Sequence, residues 1–273
     1  MDKYAVLGNP IGHSKSPFIH TIFAQETNQD TEYGSLLSPL DGFKETVDNF
    51  RKNGGKGLNI TVPFKEEAYK YADNLSDRAK KAGAVNTLKF LDDGSSFGDN
   101  TDGFGFIWDL KRLNWEVKDS SILLIGAGGA LKGIIGPIME EKPKNVVLVN
   151  RTIEKALAIK ELYPSIKVLS FEDLNGSNET FNIVVNCTSL SLSNKLPNIS
   201  EKFITKNSHV YDLMYSNKNT IFLDWAKSLG CNNISDGLGM LVGQAALSFN
   251  LWRGVMPESK NVFLKLRELI KNA

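Results

Sequence analysis

Apolar residues recur along the chain in runs of strand length, separated by stretches where they fall three and four positions apart. Over the first hundred residues YAVLG (4–8), YGSLL (33–37), GLNITV (57–62) and NTLKFL (86–91) read as strands, and 16–26, 43–52 and 64–82 as helices. The DDGS tetrapeptide at 92–95 marks a local reversal. A second series opens at SILLI (121–125) and passes through a Gly-rich turn into NVVLVNRT (145–152). It continues with a helix ending near 162, IKVLSF (166–171), FNIVVNCTS (181–189) and HVYDLMY (209–215). From GLGMLVGQAA (237–246) onward the pattern is helical only. Strands alternating with helices imply βαβ units and a largely parallel sheet. The pattern predicts a two-domain α/β fold. An N-terminal, mainly parallel α/β domain over 1–102 is completed by C-terminal helices within 238–273. A Rossmann-type domain occupies 103–237, and a ligand cleft is expected between the two.

Composition narrows the partners. At 273 residues the chain has room for two cores, and a charged fraction of 23% beside 41% hydrophobic is that of a globular protein. A net charge of +1 makes no electrostatic case for nucleic acid or a membrane surface. Cys187 and Cys231 form no CxxC pair and no disulfide framework, which fits a reducing cytosol. The opening MDKYAVLGNP enters a strand with no apolar leader, and no run approaches the roughly 20 apolar residues of a membrane span. A cytoplasmic protein is expected. His13, His20 and His209 are too scattered for a metal site, so none is expected.

The turn 126-GAGGALKG-133 lies between a strand and a helix-compatible run. Gly126, Ala127, Gly128, Gly129 and Ala130 allow close backbone approach to a pyrophosphate, with the helix N-terminus supplying free N–H groups. Leu131 stands where GxGxxG wants glycine, so a plain strand-to-helix connection is the competing reading. At the next strand's tip an NAD site would place an acid to bind the ribose hydroxyls. This chain offers Asn150, Arg151 and Thr152. A guanidinium there pairs with a 2′-phosphate in fork geometry, which selects NADP over NAD. Alternatively Arg151 is a solvated residue at a helix start.

Four stretches of the first domain are unusually polar: 8-GNPIGHSKSP-17, 58-LNITVPFKEEA-68, 83-GAVNTL-88 and 98-GDNTDGFG-105. Each has an ordinary explanation. Ser14 or Ser16, and Thr101 or Asp102, could cap the helices that follow. Lys65 could be a solvated first-turn residue, although the helix dipole favours acids at that end.

Together these motifs carry a resemblance. GNPIGHSKSPFIH, NITVPFKEEA, AGAVNTL, GDNTDG, GAGGA, NRT, DGLGMLVGQAA and WRGVMP, in this order and spacing, resemble the shikimate dehydrogenases of aromatic amino-acid (chorismate) biosynthesis. The resemblance spans residue 4 to about 257. It implies an NADP-dependent oxidoreductase acting on a CH–OH group, converting 3-dehydroshikimate to shikimate reversibly, as a monomer or homodimer. By motif, Lys65 is implied as the catalytic lysine and Asp102 as its partner. Ser14, Ser16, Asn59, Thr61, Asn86, Tyr215 and Gln244 are implied at the substrate. Residues 126–130 are implied at the pyrophosphate, and Asn150, Arg151, Thr152 and Lys155 at the 2′-phosphate end. Thr188, Leu213, Gly237 and Met240 are implied along the nicotinamide path.

The chain departs from the family pattern at a few positions. Lys155 and Lys132 stand for arginines, Leu131 for a small polar residue, Cys187 for alanine and Ser191 for a glycine of the loop after NCTS. Cys187 reads as packing, because no histidine near it in sequence could activate it. Two other functions compete: a quinate/shikimate dehydrogenase using NAD, which Arg151 argues against, and a non-catalytic sensor of the same ligand. The sensor could dispense with Lys65 and Asp102, and here both are present.

Overall fold

A computed structural model describes residues Met1–Asn272. In chain order the first elements are β1 (Asp2–Gly8), α1 (Ser16–Glu26), β2 (Thr31–Leu37), α2 (Phe43–Lys52), β3 (Gly55–Ile60), α3 (Lys65–Tyr71), β4 (Asn74–Leu75), α4 (Asp77–Ala82), β5 (Thr87–Phe90), β6 (Ser96–Asp99) and α5 (Asp102–Arg112). The next are β7 (Ser121–Ile125), α6 (Gly129–Glu140), β8 (Asn145–Val149), α7 (Ile153–Leu162), β9 (Lys167–Leu169), α8 (Phe171–Gly176), β10 (Ile183–Asn186), β11 (His209–Asp212), α9 (Ile221–Ser228) and β12 (Asn233–Asp236). Helices α10 (Leu238–Arg253) and α11 (Ser259–Lys271) close the chain. Among the described residues no helix is long and apolar enough to cross a membrane.

Two compact units result. One comprises Met1–Gly105 with Leu241–Leu266, the other Phe106–Met240 with the residues from Arg267 on. The sequence pattern assigned the whole C-terminal stretch to the first domain. The end of α11 instead groups with the second unit, where the Arg267 guanidinium donates to Asp236 at 2.8 Å.

The first unit's sheet has the order β2-β1-β3-β5-β6-β4. Strands β2, β1 and β3 are parallel, while β5 runs antiparallel to both β3 and β6. The reversal at 92–95 is thus a hairpin. The single helix expected over 64–82 is two helices with a short strand between them. Ala72 turns extended at the end of α3, the Asp73 carboxylate accepts from Ser96 Oγ at 2.8 Å, and β4 pairs with β6. Ser76 then caps α4, its hydroxyl accepting from Ala79 N at 3.1 Å, and Gly83 ends that helix at φ +61°. Helical periodicity continues through both helices, so the break is carried by Asp73 and Ser76.

The second sheet is parallel throughout, in the order β12-β11-β10-β7-β8-β9. Its central strands β7, β8 and β10 are apolar on both faces, as a sheet covered on both sides requires. Ile122, Leu124, Val146, Leu148, Ile183 and Val185 pack into one core, and the alternate residues Leu123, Val147 and Val184 into the other. Numbered from β7, the order is 3-2-1-4-5-6, the doubly wound dinucleotide fold, whose switch point lies between β7 and β10. Five elements of this unit were not expected: α8, α9, β12 and the 3-10 turns Leu190–Ser193 and Glu201–Phe203. Helices α8 and α9 are preceded by the N-caps Ser170 and Thr220, whose hydroxyls accept from Asp173 N and Leu223 N. Both are too short to display a helical period.

Candidate active site

In the first unit the polar motifs converge. Lys65 opens α3 and reaches Asp102, the first residue of α5, with Nζ 2.6 Å from Oδ2. The lysine side chain is 25% exposed and the aspartate 8%, so one end of the pair meets solvent while the carboxylate is held inside. The second oxygen of Asp102 accepts from Asn86 Nδ2 at 2.8 Å, and the same amide points at Gln244 Oε1 at 3.3 Å. Asn86 is fixed in turn: its Oδ1 accepts from Thr101 N and from Thr87 Oγ1, each at 2.9 Å. Lys65, Asp102, Asn86 and Gln244 therefore form one hydrogen-bonded chain across α3, α5, the entry to β5 and α10.

The other expected substrate residues divide. Asn59 is buried, and its amide donates to Thr87 Oγ1 and Ser248 Oγ while accepting from the Tyr33 hydroxyl at 2.7 Å. It supports the network from beneath. Ser16 is buried and also hydrogen-bonds toward Tyr33, whose hydroxyl burial holds well above its ordinary pKa. Ser14 is half-exposed, its hydroxyl accepting from Ser16 N at 3.3 Å. Thr61 is half-exposed at the end of β3, its methyl placed where a Cβ on Gly8 would fall 2.4 Å away. Tyr215 belongs to the second unit, half-buried, with its hydroxyl pKa raised by burial.

Sequence reasoning missed Thr101, Thr87 and Ser248, which tie the network together by mutual hydroxyl contacts of 2.7 and 3.2 Å through Ser248. One signal was available for the last of these. Ser248 lies four residues after Gln244 and so shares its helix face.

The second unit builds a separate site at its switch point. Gly126 takes φ +104°, and a Cβ there would lie 2.7 Å from Thr188 Cγ2, so the turn after β7 and the loop after β10 touch. Added Cβ atoms at Gly128 and Gly129 would meet nothing within 4 Å, and α6 starts with no side chain capping it. The twelve-residue helix thus presents uncapped N–H groups at an open turn, which suits a pyrophosphate. Asn150, expected at the 2′-phosphate end, ties β8 to this turn: its Oδ1 accepts from Ala127 N at 3.0 Å. Arg151 and Lys155 are exposed, with no ion-pair partner among the described residues. Gly237 packs so close to the end of β11 that a Cβ would come 2.1 Å from Leu213 O, and Met240 lies one turn further on. Cys187 is buried with its thiol pKa far above the ordinary range, which leaves it inert.

Known proteins match nearly the full length of the chain. Residues 6–88 match the shikimate dehydrogenase substrate-binding domain, 110–228 the shikimate/quinate 5-dehydrogenase domain and 237–262 the shikimate 5′-dehydrogenase C-terminal domain. A shikimate dehydrogenase (NADP(+)) of Photobacterium profundum is 50% identical over 272 residues, covering 99% of this chain and 100% of its own. The crystal structure of an Ael1 enzyme from Pseudomonas putida superposes with a TM-score of 0.93 at 42% identity, covering 97% of this chain and 98% of that one. The shikimate 5-dehydrogenase of Thermus thermophilus, solved with NADP(H) and shikimate, gives a TM-score of 0.88 at 31% identity, covering 98% and 99%.

Proposed function

The chain belongs to the shikimate dehydrogenase family, and we propose that it reduces 3-dehydroshikimate to shikimate with NADPH, reversibly. The observation that carries the mechanism is the Lys65–Asp102 pair, held by Asn86 and Gln244 in one hydrogen-bonded chain. When bound, NADPH supplies the hydride that converts the carbonyl carbon to the alcohol. The chain supplies the rest. Lys65 Nζ presents a proton to the carbonyl oxygen and recovers it in the reverse direction. Asp102 holds the ammonium in place, and Asn86 fixes the aspartate. Gln244, Thr61 and the α1 entrance at Ser14 and Ser16 offer hydroxyl and amide groups to a small polyhydroxylated acid. In the second unit the turn 126–130 and the uncapped start of α6 suit the pyrophosphate, while Arg151 and Lys155 suit the 2′-phosphate. Thr188, Leu213, Gly237 and Met240 suit the nicotinamide end. A cytoplasmic setting fits two buried free thiols.

Arg151 makes the cofactor choice testable. Steady-state rates for shikimate and quinate with NADP and with NAD are expected to be highest for shikimate with NADP. Arg151→Ser is expected to lower kcat/KM for NADP about ten-fold, one charge-assisted contact discounted for exposure, and to leave NAD little changed. An unaltered NADP preference in that variant would remove the 2′-phosphate from Arg151. Quinate turnover with NAD equal to shikimate turnover with NADP would overturn the substrate and cofactor assignment together.

A further inference from the structure

Asp212 ends β11 with its side chain fully buried, and among the described residues no cation pairs with it. Four donors converge on the carboxylate instead. Ser191 Oγ and Thr220 Oγ1 each lie 2.6 Å from Oδ2, while Asn186 Nδ2 at 3.2 Å and Met214 N at 3.1 Å share Oδ1. Burial pushes this carboxyl above the usual carboxylate range, and the hydrogen bonds oppose that. The donors come from three segments: the end of β10 with the loop after it, the turn after β11 and the cap of α9.

Two of those segments carry residues assigned above to the nicotinamide end. Asn186, held by Asp212, accepts from Thr188 N at 3.1 Å and Thr188 Oγ1 at 2.7 Å. Leu213 follows Asp212 directly, and its carbonyl is the group against which Gly237 packs. Thr188, Leu213 and Gly237 are therefore all referred to one buried carboxylate.

We propose that Asp212 is a positioning residue for the nicotinamide half of the cofactor, with Ser191 as the latch that ties the 190–193 turn to it; this rests on the cofactor placement given above. Ser191 is half-exposed on a 3-10 turn, and its hydroxyl bridges Asp212 and Asn186, at 2.6 and 3.4 Å. A glycine at 191 has no group to make this link, so the latch is a property of this chain's own serine. Because the serine sits at the rim of the network, its removal loosens the loop and leaves the core of the sheet intact.

The test compares wild type, Ser191→Ala and Ser191→Thr, with binding of NADPH read by its fluorescence. Adenosine 2′,5′-bisphosphate, which carries only the adenine end, serves as the second probe. Ser191→Ala is expected to weaken NADPH about five-fold, the cost of one hydrogen bond to a charged acceptor at a half-exposed position. The bisphosphate affinity and the KM for shikimate are expected to stay at wild-type values. Ser191→Thr, which keeps the hydroxyl, is expected to restore NADPH affinity. Equal weakening of both probes would mean general damage to the unit and would overturn the positioning role, as would unchanged NADPH binding in Ser191→Ala. Failure of wild type itself to bind NADPH would instead remove the cofactor placement, and with it this proposal.

Discussion

Lys65→Ala is expected to lower kcat for shikimate oxidation by about 10³-fold, within the usual contribution of one positioned proton-transfer group. The shikimate dissociation constant should move little, because the hydroxyls and amides proposed to recognise it, at Ser14, Ser16, Thr61 and Gln244, remain. A second effect has to be separated from this one. Removing the lysine leaves Asp102, 8% exposed, with Asn86 as its side-chain partner. An uncompensated buried charge costs about 3–5 kcal/mol at worst, and less here because Lys65 is a quarter exposed. Thermal unfolding of the variant measures that cost directly. Shikimate binding by calorimetry and single-turnover reduction of the nicotinamide then report the chemistry on the folded fraction. Near-normal single-turnover rates in a folded Lys65→Ala would show that the proton moves by another route. Wild-type turnover in the same experiment divides enzyme from sensor, since a sensor would bind shikimate without reducing the nicotinamide.

How much of this was legible beforehand follows from the range of the signals. The Rossmann-type half was readable because each central strand is apolar on both faces and the Gly-rich turn sits between strand and helix. The sheet order was not, because strand sequence carries no record of which neighbour it pairs with. Lys65 and Asp102 were singled out by motif and the fold pairs them, but the hydrogen-bonded chain joining them to Gln244 depends on contacts between residues as far apart as Asn86 and Gln244. Asn59 and Asn150 read as ligand contacts in the sequence, and in the fold each is also bound within the protein, Asn59 to Ser248 and Asn150 to Ala127 N. A polar residue in a motif announces that something must be satisfied there; only the fold tells whether its partner is a ligand or the protein. Asp212 is the extreme case. Its run, HVYDLMY, reads as a strand with one acid in it, and the donors that give the acid its role arrive from Asn186, Ser191 and Thr220.

Acid is expected to destabilise the protein through His20. This imidazole lies on α1, 2% exposed, stacked on Tyr33 at 4.1 Å with an interplanar angle of 4°, and flanked by Phe23, Phe249 and Trp252. Neither ring nitrogen has a hydrogen-bond partner. Burial pulls its pKa down to about 3, against an opposing effect of the nearby Asn59. The folded pKa is thus depressed below the unfolded value near 6.5, so between the two the unfolded chain binds a proton that the folded chain refuses. Stability contributed by the neutral ring is complete above about pH 6.5 and drains away as pH falls toward 3. At pH 4.5, two units below the unfolded pKa, the loss comes to about 2.7 kcal/mol. Buried acids of raised pKa, Asp109 and Asp212, work in the opposite direction, gaining protons in the folded state as pH falls. A difference measurement isolates the histidine from them. Urea unfolding of wild type, His20→Phe and His20→Leu at pH 7 and pH 4.5 should show both variants losing less stability on acidification than wild type, by about 2–3 kcal/mol. The baseline cost of each substitution cancels in that comparison, whichever way the aromatic cluster repacks. Parallel acid losses in all three proteins would mean that the ring is protonated in the folded state, which requires a partner for its nitrogens that the cluster does not provide.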